Sequence, residues 1–430
     1  MELTNWAGNV AFGARRLHRP ASLEELRDVV ATASSAGEPV RVLGTGHSFN
    51  RVADTDGHLV SVADLPREVD VDRAAGSVRV SGGTRYGELG AHLQAAGLAL
   101  HNLGSLPHIS VAGACATGTH GSGVRNRNLP SAVRAVELVT AGGEVVVRRR
   151  GEPGFEGAVL ALGALGVVTA LELDVQPSYD VRQVVHDDLP LAALEEDLDG
   201  VMGAAYSVSL FTDWQDRDGR GPLLQAWLKA RDGEELPGAA WRGSRRADGP
   251  RHPVPGVATD PATEQGAVPG PWNARLPHFR LEFVPSNGEE LQSEWFVERG
   301  HGIEALRALL PLADRLAPVL MISELRTVAA DDLWLSPSYE RDCLALHFTW
   351  HLDTPAVLPV VAAVEEALAP FAARPHWGKV FTAGGPEVGA LYPRLDDARR
   401  LAAELDPRGT FRNELVDRYV PRWAAATAPA

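Results

Sequence analysis

Apolar and polar positions along the chain follow two different periods. Leu23, Leu26, Val29, Val30 and Ala33 fall on one helical stripe, opened by Ser22 as N-cap with Glu25 three residues on. The pattern predicts a helix over 22–36, closed by Gly37 and Pro39. Short strands are predicted over 40–43, 58–62 and 77–82, with a second helix over 85–96. Alternating runs over 133–139 and 144–148 flank Ala141-Gly142-Gly143 and read as a hairpin, and an apolar strand follows Gly166 up to Leu173. Gln176-Pro177 marks a boundary. Beyond it, strands are predicted at 206–211, 223–228, 279–284, 293–297, 320–327 and 343–350, and helices at 302–313, 356–369 and 396–404. A stretch dense in proline and glycine, 236–277, reads as an irregular excursion. Strands and helices do not alternate regularly, so the expected class is α+β. The expected division is a first domain over 1–176, a sheet-plus-helix domain over 177–374, and a segment over 375–430 that returns to the site.

Two stretches fit neither period. Arg41-Val-Leu-Gly-Thr-Gly-His47-Ser-Phe-Asn50 runs from a strand into a turn. Glycines at 44 and 46 permit positive φ, and successive bare N–H groups there suit a diphosphate. His47 would stand at the rim as a nucleophilic nitrogen; on seven residues alone, a plain turn with a solvated histidine is the better reading, and the rest of the chain reverses it. The second stretch, 102–123 (NLGSLPHISVAGACATGTHGSG), has small residues and no period, so no packed amphipathic element is expected. Val111, Ala112, Ala114 and Ala116 among glycines suit packing against something flat.

Composition narrows the chemistry. With 430 residues, 45% apolar, the chain has room for two domains. A formal charge of −15 opposes nucleic acid and anionic membranes as partners. Cys115 and Cys343 make no disulfide framework. The N-terminus has no basic-then-apolar pattern, and no uncharged apolar run reaches spanning length, so the cytoplasm is expected. Lysine occurs only at Lys229 and Lys379 among 41 basic residues; each reads equally as a chance survivor or as a place where a compact ammonium with a movable pKa is needed. Glu324/Arg326 and His347/Thr349 each lie two apart on a predicted strand and so share a face; a surface ion pair on an edge strand and a structural histidine are the plain alternatives, and two matching polar pairs amid apolar neighbours favour a site. A Rossmann site is excluded, because only two glycines of GxGxxG are present and no helix follows. His101, His108 and His120 match no metal-ligand spacing, so no metal is expected. Gly104-Ser105-Leu106 lacks the nucleophile elbow of a hydrolase.

RVLGTGHSFN, SLPHISVAGACATGTHGSG and GALGVVTALEL together resemble the FAD-binding (PCMH-type) domain of the vanillyl-alcohol oxidase type flavoproteins. The strings SELRTVAADDLWLSP, HFTW and RPHWGKVF extend the likeness over 5–413, toward the alditol-oxidising branch of that group. The resemblance implies FAD linked covalently through His47. Arg41, Gly44, Thr45, Gly46, Ser48 and Phe49 would surround the diphosphate. Ser105, Ser110, Gly113, Thr117, Gly118, Thr119 and His120 would add contacts, and Gly166 and Val168 would lie against the adenine–ribose end. It further implies a polyol held by Ser105, Glu324, Arg326, Thr349 and Lys379, with Lys379 and Arg326 polarising the C1 oxygen. His347 or Lys379 would take the proton as hydride passes to the flavin and dioxygen becomes hydrogen peroxide. Gly104, beside Ser105, would leave dioxygen room. An aldonolactone oxidoreductase on the same fold is the nearest alternative, and a monomer or weak oligomer is expected.

Overall fold

In the computed structural model, residues 3–423 are described except 218, 220 and 284–287. The first helix, Leu23–Ser35, is capped as its sequence requires, Ser22 Oγ accepting from Glu25 N at 3.1 Å. Its buried Leu26, Val30 and Ala33 pack with Val40 and Val60 of a parallel three-stranded sheet made by Arg16–His18, His58–Val60 and Val40–Val42. Beside it lies an antiparallel sheet in the order Val69–Asp72, Ser77–Ser81, Val167–Asp174, Val133–Val139, Val145–Arg149, which includes the expected hairpin.

A ten-stranded sheet carries the middle of the chain. Its centre runs Leu223–Arg231, Ser207–Thr212, Leu320–Val328, Cys343–His351, Glu290–Glu298, every neighbour antiparallel. Side-chain alternation gives this sheet two unlike faces. Leu228, Leu210, Leu325, Leu346 and Trp295 point one way, into an apolar core shared with the helices Leu191–Met202, Gly302–Leu309 and Thr354–Leu368. The intervening residues, Glu324, Arg326, His347, Thr349 and Glu294 among them, point the other way. Among the described residues one helix, 354–371, has the length and apolarity of a membrane span; it turns Val357, Val361, Val364 and Leu368 into this same core.

Among the features that differ from the sequence reading, three stand out. The stretch 102–123 contains a helix, Val111–Thr117, whose buried Val111, Ala114, Cys115 and Thr117 are too small to leave an amphipathic signal. The expected strand over 279–284 does not form. Phe279 makes one isolated bridge to Ala262, residues 281–283 turn with Leu281 and Phe283 left exposed, and Val284 lies outside the described residues. Conversely, Asp180–Pro190 is a strand beside Leu223–Arg231 that periodicity missed. Its register shifts between His186 and Leu189, with Asp188 at φ 61°, so the polar pair Asp187-Asp188 interrupts the alternation. After Arg374–Pro375 pairs on the sheet edge, the chain returns to the N-terminal unit: Val40 N donates to Thr410 O at 2.7 Å, and Asn413 Nδ2 to Arg51 O and Asp54 O at 2.9 Å each.

Candidate active site

The polar face of the large sheet and the 44–50 turn look into one cavity of about 800 Å³. At the turn, Gly46 adopts φ +73° as expected, whereas Gly44 does not have positive φ. A Cβ at Gly44 would come within 2.8 Å of Ser110 Oγ, as would one at Gly113, so these two glycines let the turn and the Val111–Thr117 helix close on each other. The N-terminal segment braces the turn: Trp6 N donates to Gly46 O at 2.8 Å and Asn5 Nδ2 to Ser48 O at 2.9 Å. The Trp6 ring stacks on His47, centroids 5.0 Å apart. His47 Nδ1 is buried without a hydrogen-bond partner, and burial brings its pKa down to about 4. A neutral imidazole with an unengaged nitrogen beside a glycine turn suits attachment to an electron-poor carbon and an adjoining diphosphate. The residues present fit an FAD.

Of the residues assigned to the cofactor by resemblance, all but Gly118 line the cavity, and Gly118, Arg41 and His120 have other partners. Gly118 is the left-handed cap of the Val111–Thr117 helix, packed against Leu160 and Pro337. Arg41 reaches the cavity wall, yet its guanidinium donates to Val52 O, to Leu162 O and Phe411 O at 2.6 Å, and to Gly163 O at 3.2 Å. It ties four loop carbonyls together. His120 lies toward the large sheet, Nε2 3.2 Å from Glu294 Oε1. Gly104 is not on the cavity wall; a Cβ there would meet Thr119 Cγ2 at 3.3 Å.

Across the cavity, the register Phe211–Glu324–His347–Glu294 lines up side chains on four adjacent strands. The Glu324 strand lies inside the sheet, so Glu324/Arg326 is no exposed edge pair; both are buried, with Arg326 Nε 3.6 Å from Glu324 Oε1. Glu294 is the centre of charge. Its Oε1 accepts from Arg326 Nη2 at 2.7 Å and its Oε2 from Lys379 Nζ at 2.7 Å. Burial pushes the Glu294 carboxyl upward, but Lys379, His120 and Arg326 outweigh this and hold it well below the usual range. Lys379 Nζ also lies 2.7 Å from His347 Nδ1, and His347 Nε2 3.1 Å from Thr349 Oγ1. Burial lowers both the Lys379 and His347 pKa values, and for His347 the neighbouring Lys379 adds to the effect. Ser105 completes the ring, its Oγ 3.4 Å from Arg326 Nη1.

Three contributors escaped the sequence reading. Glu294 sits in Glu290-Leu-Gln-Ser-Glu-Trp, an alternation that any solvent-facing strand would show. His278, buried just past the irregular excursion, brings Nε2 to 2.7 Å from Glu324 Oε1, and no local pattern announces it. Asn50 directs Nδ2 to Trp377 O and Lys379 O, 2.8 Å each, fastening the Lys379 segment to the glycine turn. The three histidines weighed for a metal go elsewhere: His101 Nε2 to Arg127 O, His108 Nε2 to Leu281 O and His120 to Glu294. Both cysteines are free and buried.

A glycine-lined groove ending in a bare histidine, opposite a buried cluster of paired charges, defines a flavin-binding oxidoreductase. Comparison with known proteins agrees. The FAD binding domain family matches residues 14–148, and the D-arabinono-1,4-lactone oxidase family matches 287–419. An alditol oxidase from a Streptomyces species is 54% identical, covering 96% of this chain and 98% of its own. L-gulono-1,4-lactone dehydrogenase from Mycobacterium tuberculosis is 30% identical over 97% of this chain and 98% of its own. The crystal structure of a cholesterol oxidase from B. sterolicum shares the fold, with a TM-score of 0.75 at 14% identity over 98% of this chain and 96% of that one. The chain belongs to the PCMH-type FAD-dependent flavoprotein family that includes the alditol oxidases.

Proposed function

We propose that this protein is an FAD-dependent alditol oxidase that converts the C1 primary alcohol of open-chain polyols, such as xylitol and sorbitol, to the aldose. The observation that carries the reading is Lys379 Nζ, held between Glu294 Oε2 and His347 Nδ1 on the cavity wall that also presents Glu324 and Arg326. When bound, the flavin supplies the acceptor for the hydride from C1 and passes the electrons to dioxygen, giving hydrogen peroxide. Glu324, Arg326, Ser105 and Thr349 hold and orient the polyol hydroxyls. Two donors of the Lys379 ammonium are engaged, and the third points the C1 oxygen; such a preorganised donor stabilises developing negative charge by about 3 kcal/mol. The hydroxyl proton passes to the Lys379–His347 pair. Replacing either partner disturbs the other, so Lys379→Met removes both polarisation and proton acceptance.

His47 is the attachment point. Acid-precipitated protein should give a yellow pellet, and His47→Ala a colourless one; a colourless parental pellet refutes the tether. The family match over 287–419 and the lactone dehydrogenase relative favour a second reading, oxidation of a cyclic sugar lactone. A panel of polyols and aldonolactones with peroxide detection separates the two. Peroxide from xylitol and sorbitol and none from lactones is expected, and the reverse establishes the lactone activity. The cytoplasm, and a monomer or weak oligomer, complete the proposal.

A further inference from the structure

Lys229, the second of the chain's two lysines, lies outside the cavity wall and takes no part in the chemistry above. It is fully buried all the same. Its strand, Leu223–Arg231, is two strands from Glu324, and side-chain alternation puts it on the same face. Nζ donates to Leu276 O at 2.5 Å and Pro277 O at 3.0 Å, and the third contact is His278 Nδ1 at 3.2 Å. His278 Nε2 then meets Glu324 Oε1 at 2.7 Å. The imidazole has little freedom to turn. Trp227 and Phe211 stand edge-on to it, with centroids 5.3 and 5.6 Å away. Its backbone N–H donates to Ser105 O at 3.2 Å.

An ammonium has three donors and no acceptor. The Glu324 carboxylate only accepts, so the His278 nitrogen aimed at it, Nε2, carries the ring's proton, and Nδ1 faces Lys229 bare as the acceptor for its third donor. Burial brings the pKa of Lys229 itself down to about 7, and its protonated form opposes a second proton on the ring; burial together with that charge brings the His278 pKa down to about 4. Glu324 thus receives a neutral, directed N–H on Oε1. An imidazolium there would form an ion pair competing with the substrate hydroxyls for the carboxylate.

We propose that Lys229 is a positioning residue for polyol binding: through His278 it fixes the imidazole as the neutral Nε2–H form, which anchors Glu324 Oε1 and leaves Oε2 to accept from a substrate hydroxyl. This rests on the reading of Glu324 as a substrate-holding group. A carboxylate anchored in this way binds the substrate equally before and during hydride loss, so the effect belongs in KM rather than kcat.

The test is a double-mutant cycle on the flavin-loaded enzyme with xylitol. Lys229→Met should raise KM about tenfold with kcat within about threefold, flavin content and visible spectrum remaining parental. In the His278→Gln background the amide N–H reaches Glu324 without any tautomer to choose, so adding Lys229→Met should change KM less than about twofold. Lys229 that merely anchors the 276–277 carbonyls would cost the same factor in both backgrounds, and that result overturns the proposal, as does a parental KM in Lys229→Met alone. Should Lys229→Met fail to fold, His278→Phe fills the aromatic slot without a donor and should show the KM rise; a parental KM there is equally fatal. Glu324→Gln separates the two layers. If it leaves KM unchanged, the substrate-holding reading of Glu324 fails. If it raises KM while Lys229→Met does not, only the relay fails.

Discussion

At the level of single residues, the site is a problem of charges that cannot be left alone. Glu294 is buried and pairs with Arg326 and Lys379, so its removal strands two cations in a medium that solvates them poorly. Glu294→Gln should lower unfolding stability by about 3–5 kcal/mol, read from denaturant melts, and abolish polyol oxidation. A variant with parental stability would mean that water already compensates those cations. Lys379→Met keeps the side-chain length without the charge; stopped-flow mixing with polyol should show no flavin bleaching while the flavin remains bound. Fast bleaching would remove Lys379 from the mechanism. Glu324, Arg326, His347, Thr349, Ser105 and Lys379 were legible in the sequence because strand spacing and resemblance single them out, and all six line the cavity. Glu294, His278 and Asn50 were not. Each acts on a partner 30 or more positions away, and such distances leave no local trace.

Among the elements, the informative contrast is between strands and glycine-rich backbone. The central strands alternate apolar and polar residues, and alternation alone says that one face is dry. Whether the other face meets solvent or a cavity depends on what is laid over it. Here the cover includes the Pro/Gly-dense excursion, whose His252, Pro253, Val254 and Val257 line the cavity and whose end delivers His278. The Val111–Thr117 helix escaped a periodicity reading because helices are recognised by large apolar side chains, and this one works by lacking them. Its approach to the turn is set by Gly44 and Gly113, each of whose absent Cβ would stand 2.8 Å from Ser110 Oγ. Gly113→Ala should therefore reduce bound flavin in purified protein, measured as the ratio of visible to 280 nm absorbance. Full occupancy would show that Ser110 simply turns aside.

The molecule as a whole buries several neutral histidines with its carboxylates, and this sets its acid limit. Burial lowers the pKa of His278 to about 4 and those of His120, His347 and His376 below the ordinary value. From about pH 6.5 downward the unfolded chain therefore binds protons that the folded one refuses, and stability falls as pH falls. Glu294 and Glu324, held below the usual carboxylate range, add a second loss below about pH 4.5. The thermal midpoint of the flavin-loaded protein should drop steadily from pH 7 to pH 5, with each histidine contributing up to about 1.4 kcal/mol per pH unit. A flat profile would mean that these imidazoles take up protons as readily in the folded state as in the unfolded one. By itself the sequence determined what depends on neighbours along the chain: the capped first helix, the alternating strands, the glycine turn with its histidine, and the strand pairs that carry Glu324, Arg326, His347 and Thr349. Only the tertiary structure decided which polar face is enclosed, which carboxylate balances Lys379, and that Lys229 stands behind His278. Those outcomes depend on strand order, on register and on the path of an unpatterned loop, and hydrophobic periodicity carries no record of any of them.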